Sequence, residues 1–188
     1  MQELVNYISK SFNVSANGLD EVLQDFRLVV LQKGDYFTRS GAACNKLGFV
    51  KSGLARVFLE VDDKEVTQWI STSGYFITDL SSFVFQTPSR WNIQAFTKCE
   101  ALVIDRNAYY AMLTKFPIWG EIDRLLIAKC FTMMEERIFS HLYMTAEERY
   151  NHLFGLHPEL FNMVPLQYLA SMLGMTPETL SRLRKKQL

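Results

Sequence analysis

The stretch LASMLGMTPETLSRLRKK, residues 169–186, sets two short helical signals around one glycine and ends on four basic residues within five positions. Leu166, Leu169, Ala170 and Leu173 recur at i, i+3, i+4 and i+7, the spacing of one buried helix face. Pro165 starts this helix and Gly174 ends it, because glycine accepts the left-handed backbone that a sharp reversal needs. Thr176 then caps a second helix, with Pro177 at its first position. Leu180 and Leu183 face back toward the first helix, and Ala170 is small where the two must cross. The outward face carries Glu178, Ser181, Arg182 and Lys185, again at i, i+3, i+4 and i+7. A glutamate can accept from the cytosine amino group, an arginine can bridge a guanine edge, and a serine can serve either. Arg184, Lys185 and Lys186 are placed for phosphates, and Thr176 and Thr179 complete the expected DNA-facing set. The pattern predicts a helix-turn-helix whose second helix enters a major groove. An ordinary helical hairpin with a solvated charged face is the rival reading.

The charge distribution agrees with contact to a polyanion at one end. The chain has 188 residues, 20 basic and 20 acidic. Residues 165–188 hold four basic residues against Glu178 alone, a net +3, which leaves −3 on the rest. With 48% hydrophobic residues the chain can bury a substantial core. No apolar run reaches the ~18 residues of a membrane span, and the N-terminus lacks the layout of a secretory signal. Cys44, Cys99 and Cys130 are odd in number and far apart, which argues against a disulfide framework and points to a cytoplasmic location. His141, His152 and His157 lack metal-ligand spacing, and no nucleophile stands beside a base. Neither a metal site, a catalytic site nor a certain cofactor is expected, and an enzyme is the least supported class.

Upstream, the chain changes character twice. Residues 28–105 are short apolar pieces punctuated by glycines. GLARVFLEV, then DDK, then EVTQWI reads as a hairpin, and CEALVID as another strand. Strands at about ten-residue spacing imply an antiparallel barrel or jelly roll. From Asn107 the pattern turns helical. Pro117 opens a long helix on which Ile127, Phe131, Met134, Ile138 and Leu142 form an apolar stripe, widened by Leu126, Cys130 and Met133. A helix this apolar must bury more than one side, which predicts a dimerisation helix; plain intramolecular core is the alternative. At TAEE, Thr145 and Glu148 have the form of a capping box, and a further helix follows. The expected fold is α+β in three parts. A sensing barrel with flanking helices covers 1–116, the long helix 117–144, and the helix-turn-helix domain 145–188.

TPETLSR closely resembles the recognition helix of the Crp/Fnr family of bacterial transcription regulators. In that family the residues matching Glu178, Ser181 and Arg182 touch base pairs. LQKGDYFTRSG and LGFVKSGLARVF resemble the opening strands of the family's cyclic-nucleotide-binding barrel, with Gly34, Asp35, Gly41, Gly53 and Arg56 at familiar places. Members that bind cyclic AMP carry Gly-Glu-Leu, whose Glu holds the ribose, and Pro-Arg-Ser/Thr-Ala, whose Arg holds the phosphate. The corresponding pieces here are Gly74-Tyr75-Phe76 and PSRWNIQA. Counting back from Ala95 puts Ser89 at the arginine position and Trp91 at the small alanine, with Arg90 one place late and so facing the other side of a strand. Gly74, Tyr75, Phe76, Ser89, Arg90 and Trp91 are the candidate effector pocket, for something other than cyclic AMP or for nothing. Three scattered cysteines cannot supply the iron–sulfur cluster of the oxygen-sensing members. The family's β-hairpin wing has no counterpart before Leu188, so a wingless variant or a truncated chain is expected.

The resemblance implies a homodimeric, sequence-specific regulator that binds a palindromic operator in double-stranded DNA, responds to a small-molecule effector and engages RNA polymerase, with no membrane partner. The alternative is a small-molecule sensor acting through protein partners with a vestigial helix-turn-helix.

Overall fold

The computed structural model describes residues 1–186; Gln187 and Leu188, the last positions of the expected 145–188 domain, lie outside the described residues. In chain order the elements are α1 (Gln2–Phe12), α2 (Leu19–Val22), β1 (Arg27–Leu31), β2 (Tyr36–Thr38), β3 (Lys46–Ser52), β4 (Ala55–Val61), β5 (Lys64–Ser71), β6 (Phe76–Ile77), α3 (Leu80–Phe85), β7 (Asn92–Ala95), β8 (Cys99–Asp105), α4 (Arg106–Lys115), α5 (Pro117–Tyr143), α6 (Ala146–Leu156), α7 (Leu160–Met163), α8 (Leu166–Met172) and α9 (Pro177–Lys185). The α+β expectation holds, with antiparallel sheets ahead of a long helix and short terminal helices.

Two compact units result. One comprises Met1–Leu59 with Trp69–Leu126; the other comprises Glu60–Gln68 with the chain from Ile127 onward.

The first unit is built on two four-stranded sheets, in the orders β1-β8-β3-β6 and β2-β7-β4-β5. β8 lies between β1 and β3, with Leu31 opposite Cys99 and Leu47 opposite Ile104. Successive side chains on a strand point to opposite faces, and β8 uses both. Ala101 and Val103 join Val50, Ala55, Ile93 and Ala95 in one core cluster. Leu102 and Ile104 join Leu47 and Phe49 in a second, closed by Leu4 and Ile8 of α1, Leu19 and Val22 of α2, Met112 of α4 and Trp119 of α5. That double burial explains why CEALVID reads as a continuous apolar run rather than an alternating one.

Two turns decide how the strands connect. Asp62 and Asp63, at the tip of the β4–β5 hairpin, both have positive φ (49° and 61°), the conformation that matches a two-residue turn to strand twist. Gly53, between β3 and β4, has φ +84°, and a Cβ there would lie 2.2 Å from the Lys98 carbonyl oxygen and 2.8 Å from Cys99 Cα. Both obstacles are backbone, so neither can yield cheaply.

The second unit contains most of α5, then α6 to α9. α6 begins with the expected capping box: Glu148 N–H donates to Thr145 Oγ1 at 3.3 Å, and Thr145 N–H donates to the Glu148 carboxylate at 2.7 Å. Among the described residues no helix is long and apolar enough to cross a membrane.

Gly53→Ala is expected to destabilise the first unit by at least about 2 kcal/mol, combining left-handed strain with the backbone clash. Urea unfolding followed by circular dichroism checks this; an unchanged midpoint would contradict the close approach at Lys98.

Candidate nucleic-acid interface and effector site

α8 ends in a Schellman motif. Met175 N–H donates to Ala170 O at 3.0 Å and Gly174 N–H to Ser171 O at 3.1 Å, with Gly174 at φ 64°. The chain then reverses into α9, where Thr176 Oγ1 accepts from Thr179 N–H at 3.2 Å and Pro177 takes the first turn. Leu169, Ala170, Leu173, Leu180 and Leu183 are all buried, and Ala170 is fully so. The two helices therefore meet along the face that periodicity predicts.

The opposite face of α9 is open. Glu178, Arg182, Arg184, Lys185 and Lys186 are exposed, while Thr179 and Ser181 are half-buried. Pro177, Glu178, Ser181, Arg182, Lys185 and Lys186 line one open groove. Glu178's own backbone N–H and the Thr176 hydroxyl hold its carboxyl below the usual range, so it is an acceptor at neutral pH. Lys186 has a protein partner as well, the Glu147 carboxylate at 3.8 Å.

Sequence reasoning missed the groups that hold this motif. Arg137 of α5 donates to Met172 O at 3.1 Å and to Gln68 O in β5. Arg149 of α6 donates to Leu173 O at 2.8 Å, to Met144 O at 2.6 Å and to Gly174 O at 3.4 Å. Thr67 N–H donates to Ser171 Oγ at 2.9 Å, and the His141 ring packs against Gly174. Burial lowers the proton affinity of Arg137, yet a guanidinium stays charged in proteins, so these are charge-assisted bonds. The available signal was Arg137 itself, a cation set inside an apolar helix.

The expected dimer residues are exposed in the isolated chain. Ile127 is 44% exposed, Phe131 64%, Met134 43%, Ile138 56% and Leu142 78%. Phe139 and Tyr143 are exposed beside them, with rings 4.5 Å apart. Within α5 only Trp119, Ile122 and Leu126 are buried. Leu126 thus belongs to the core rather than to the stripe that it was expected to widen.

In the barrel, the two segments of the candidate effector pocket have different neighbours. Phe76 packs on Tyr7 of α1 (5.8 Å between ring centroids) and on Phe49 (5.2 Å), Gly74 lies beside Tyr7, and Tyr75 stands 5.8 Å from Trp69. What meets Ser89, Arg90 and Trp91 is Asp79, a residue that sequence reasoning passed over. Ser89 is buried with its hydroxyl 2.8 Å from Asp79 Oδ2, whereas Arg90 is exposed with its guanidinium 5.2 Å from the Trp91 ring centre. The matching signal was Thr78-Asp79-Leu80, which carries a carboxylate where Gly74-Tyr75-Phe76 has none.

Residues 28–116 match the family model of the cyclic nucleotide-binding domain. FixK2 of Bradyrhizobium japonicum superposes with a TM-score of 0.74 at 14% identity, over 86% of this chain and 83% of its own. CooA of Carboxydothermus hydrogenoformans, as a double mutant, gives 0.66 at 20% identity over 93% and 84%. A Eubacterium rectale protein assigned to the Crp/Fnr family of transcriptional regulators gives 0.68 at 16% identity over 96% and 87%. The chain has the Crp/Fnr fold. No curated protein sequence gives a match. Within the Crp/Fnr fold, α8 and α9 occupy the helix-turn-helix and α5 is the long helix that precedes it.

Arg137→Ala is expected to cost the second unit about 1–3 kcal/mol, because it leaves half-buried carbonyls without a donor. Native-state hydrogen exchange at the Leu173 and Met175 amides should quicken accordingly; unchanged exchange would mean that Arg137 does not hold the end of α8.

Proposed function

We propose that this chain is a homodimeric, sequence-specific DNA-binding transcription regulator of the Crp/Fnr type, acting in the cytoplasm, whose barrel does not take cyclic AMP. One observation carries the reading: the face of α9 that bears Glu178, Ser181 and Arg182 is open, on a helix whose other face is fixed by Leu180 and Leu183. Arg182 has the fork geometry for a guanine edge, ionised Glu178 accepts from a cytosine amino group, and Ser181 serves either. Arg184, Lys185 and Lys186 take phosphates, with Lys186 leaving Glu147 to do so. The domain division 1–116, 117–144 and 145–188 is part of this proposal.

Dimerisation supplies the second recognition helix. The apolar face from Ile127 to Leu142 supports it, since a contiguous exposed patch of this kind marks a protein interface. Two-fold symmetry would place the recognition helices one DNA turn apart, roughly 34 Å, and so calls for a palindromic operator. Against cyclic AMP stands Ser89 at the position where the family's cyclic AMP binders place arginine. A phosphate buried there without its cation would cost on the order of several kcal/mol.

In binding selections from a randomised operator library, Arg182→Ala is expected to lose about 1–3 kcal/mol at one base position and to relax preference there while flanking positions stay specific. Retention of the full wild-type preference would remove Arg182 from base reading. If the wild type shows no salt-dependent binding to any duplex, the protein acts as a sensor through protein partners instead.

Phe131→Glu combined with Met134→Glu should turn the dimer into a monomer in multi-angle light scattering, through burial of unpaired charge at the interface. A dimer mass in that variant would place the interface elsewhere.

A further inference from the structure

Between α3 and β7, three hydrogen-bond donors converge on a single atom. Ser89 Oγ lies 2.8 Å from Asp79 Oδ2 and 3.0 Å from Trp91 O, so its one proton is shared between them; Arg90 N–H donates to Asp79 Oδ2 at 2.7 Å, and Trp91 N–H does so at 3.3 Å. The other oxygen, Oδ1, accepts from Ser82 N–H at 3.1 Å and so caps α3. Asp79 is 2% exposed and Ser89 3%. Helix capping accounts for Oδ1. It does not account for two successive backbone N–H groups and a hydroxyl all turned on Oδ2. Successive amides aimed at one point form a concavity for an anion, and here a side chain from ten residues upstream fills it.

We propose that the Ser89–Arg90–Trp91 segment is an oxyanion seat with Asp79 as its resident anion, so that the barrel is closed to phosphoryl ligands at this position unless Asp79 is removed. The carboxylate takes the place that a phosphate oxygen of an external ligand would take. Burial alone would raise Asp79's proton affinity, but its bonds from Ser82, Ser89, Arg90 and Trp91 outweigh burial and keep the carboxyl below the usual range. The seat is therefore charged and occupied at neutral pH. No cation is required to balance a phosphate here, because none is admitted, which gives the absence of an arginine at position 89 a physical reason. The exposed Arg90 guanidinium is directed onto the Trp91 ring and takes no part in the seat. This proposal deepens the reading that the barrel does not take cyclic AMP. It concerns the barrel alone, so its failure would leave the DNA-binding proposal standing.

Asp79→Ser tests it on the full chain. Serine keeps an acceptor for Ser82 N–H and so preserves the cap, but it withdraws the oxygen that fills the seat. With orthophosphate as the probe in isothermal titration calorimetry, Asp79→Ser should bind roughly tenfold or more tightly than the wild type. Adding Ser89→Ala should reverse most of that gain. A folded Asp79→Ser protein that binds orthophosphate no better than the wild type overturns the proposal. Should the variant fail to fold, the wild type still decides. Orthophosphate must leave its Arg90 and Trp91 amide resonances unmoved in a nitrogen-15 correlation spectrum, and saturable movement of those two peaks overturns the proposal.

Discussion

A helix that stops short leaves its last carbonyls without partners, and how α8 solves this sets the direction of everything after it. Gly174 turns left-handed and two amides fold back, but the carbonyls of Met172, Leu173 and Gly174 still need donors. Arg137 and Arg149 supply them from two other helices, and Thr67 of β5 ties Ser171. The angle at which α9 leaves is thereby fixed by side chains far away in sequence. Only with that angle fixed do Glu178, Ser181 and Arg182 face outward together. If α9 reads base edges as proposed, its side chains must arrive in register, and the guanidinium contacts beneath α8 then matter as much as the residues on its surface.

The barrel meets a different constraint. Its β3 and β8 strands are apolar on both faces, and α1, α2, α4 and the start of α5 cover one of them. A double-sided apolar barrel leaves little room for polar groups, and those that are buried must satisfy one another. Asp79, Ser82 and Ser89 are bonded to one another and to the backbone of Cys44, Thr87, Arg90 and Trp91. The same economy makes the segment a poor receptor for anything that brings its own charge.

Periodicity and caps made most of the fold legible. The stripe on α5, the reversal at Gly174, the caps at Thr145 and Thr176 and the hairpin at Asp62-Asp63 are local signals, each contained within a few turns or one hairpin. The short helices α2 and α7 gave no such signal, because neither starts on a side-chain cap, whereas Asp79 caps α3 and was passed over. The candidate site was legible where it lay on one helix face, as on α9, and illegible where it depended on distant partners. Arg137 and Gln68 are 69 positions apart, and Thr67 and Ser171 104. Asp79 was passed over for a related reason. Gly74 drew attention as a glycine, but its φ of 90° serves the turn before β6, and the informative carboxylate came five residues later.

The β4–β5 hairpin is divided between the two compact units. Glu60–Gln68, the end of β4 with the turn and the first part of β5, belongs with the chain from Ile127 onward, so the second unit is assembled from two separate pieces of chain. Such a half is not a cassette that can be excised and transplanted. A fragment beginning in α5 would lack the backbone that satisfies Ser171 and one of the two carbonyls that anchor Arg137. Moving this unit onto another barrel would require grafting nine residues of hairpin along with it.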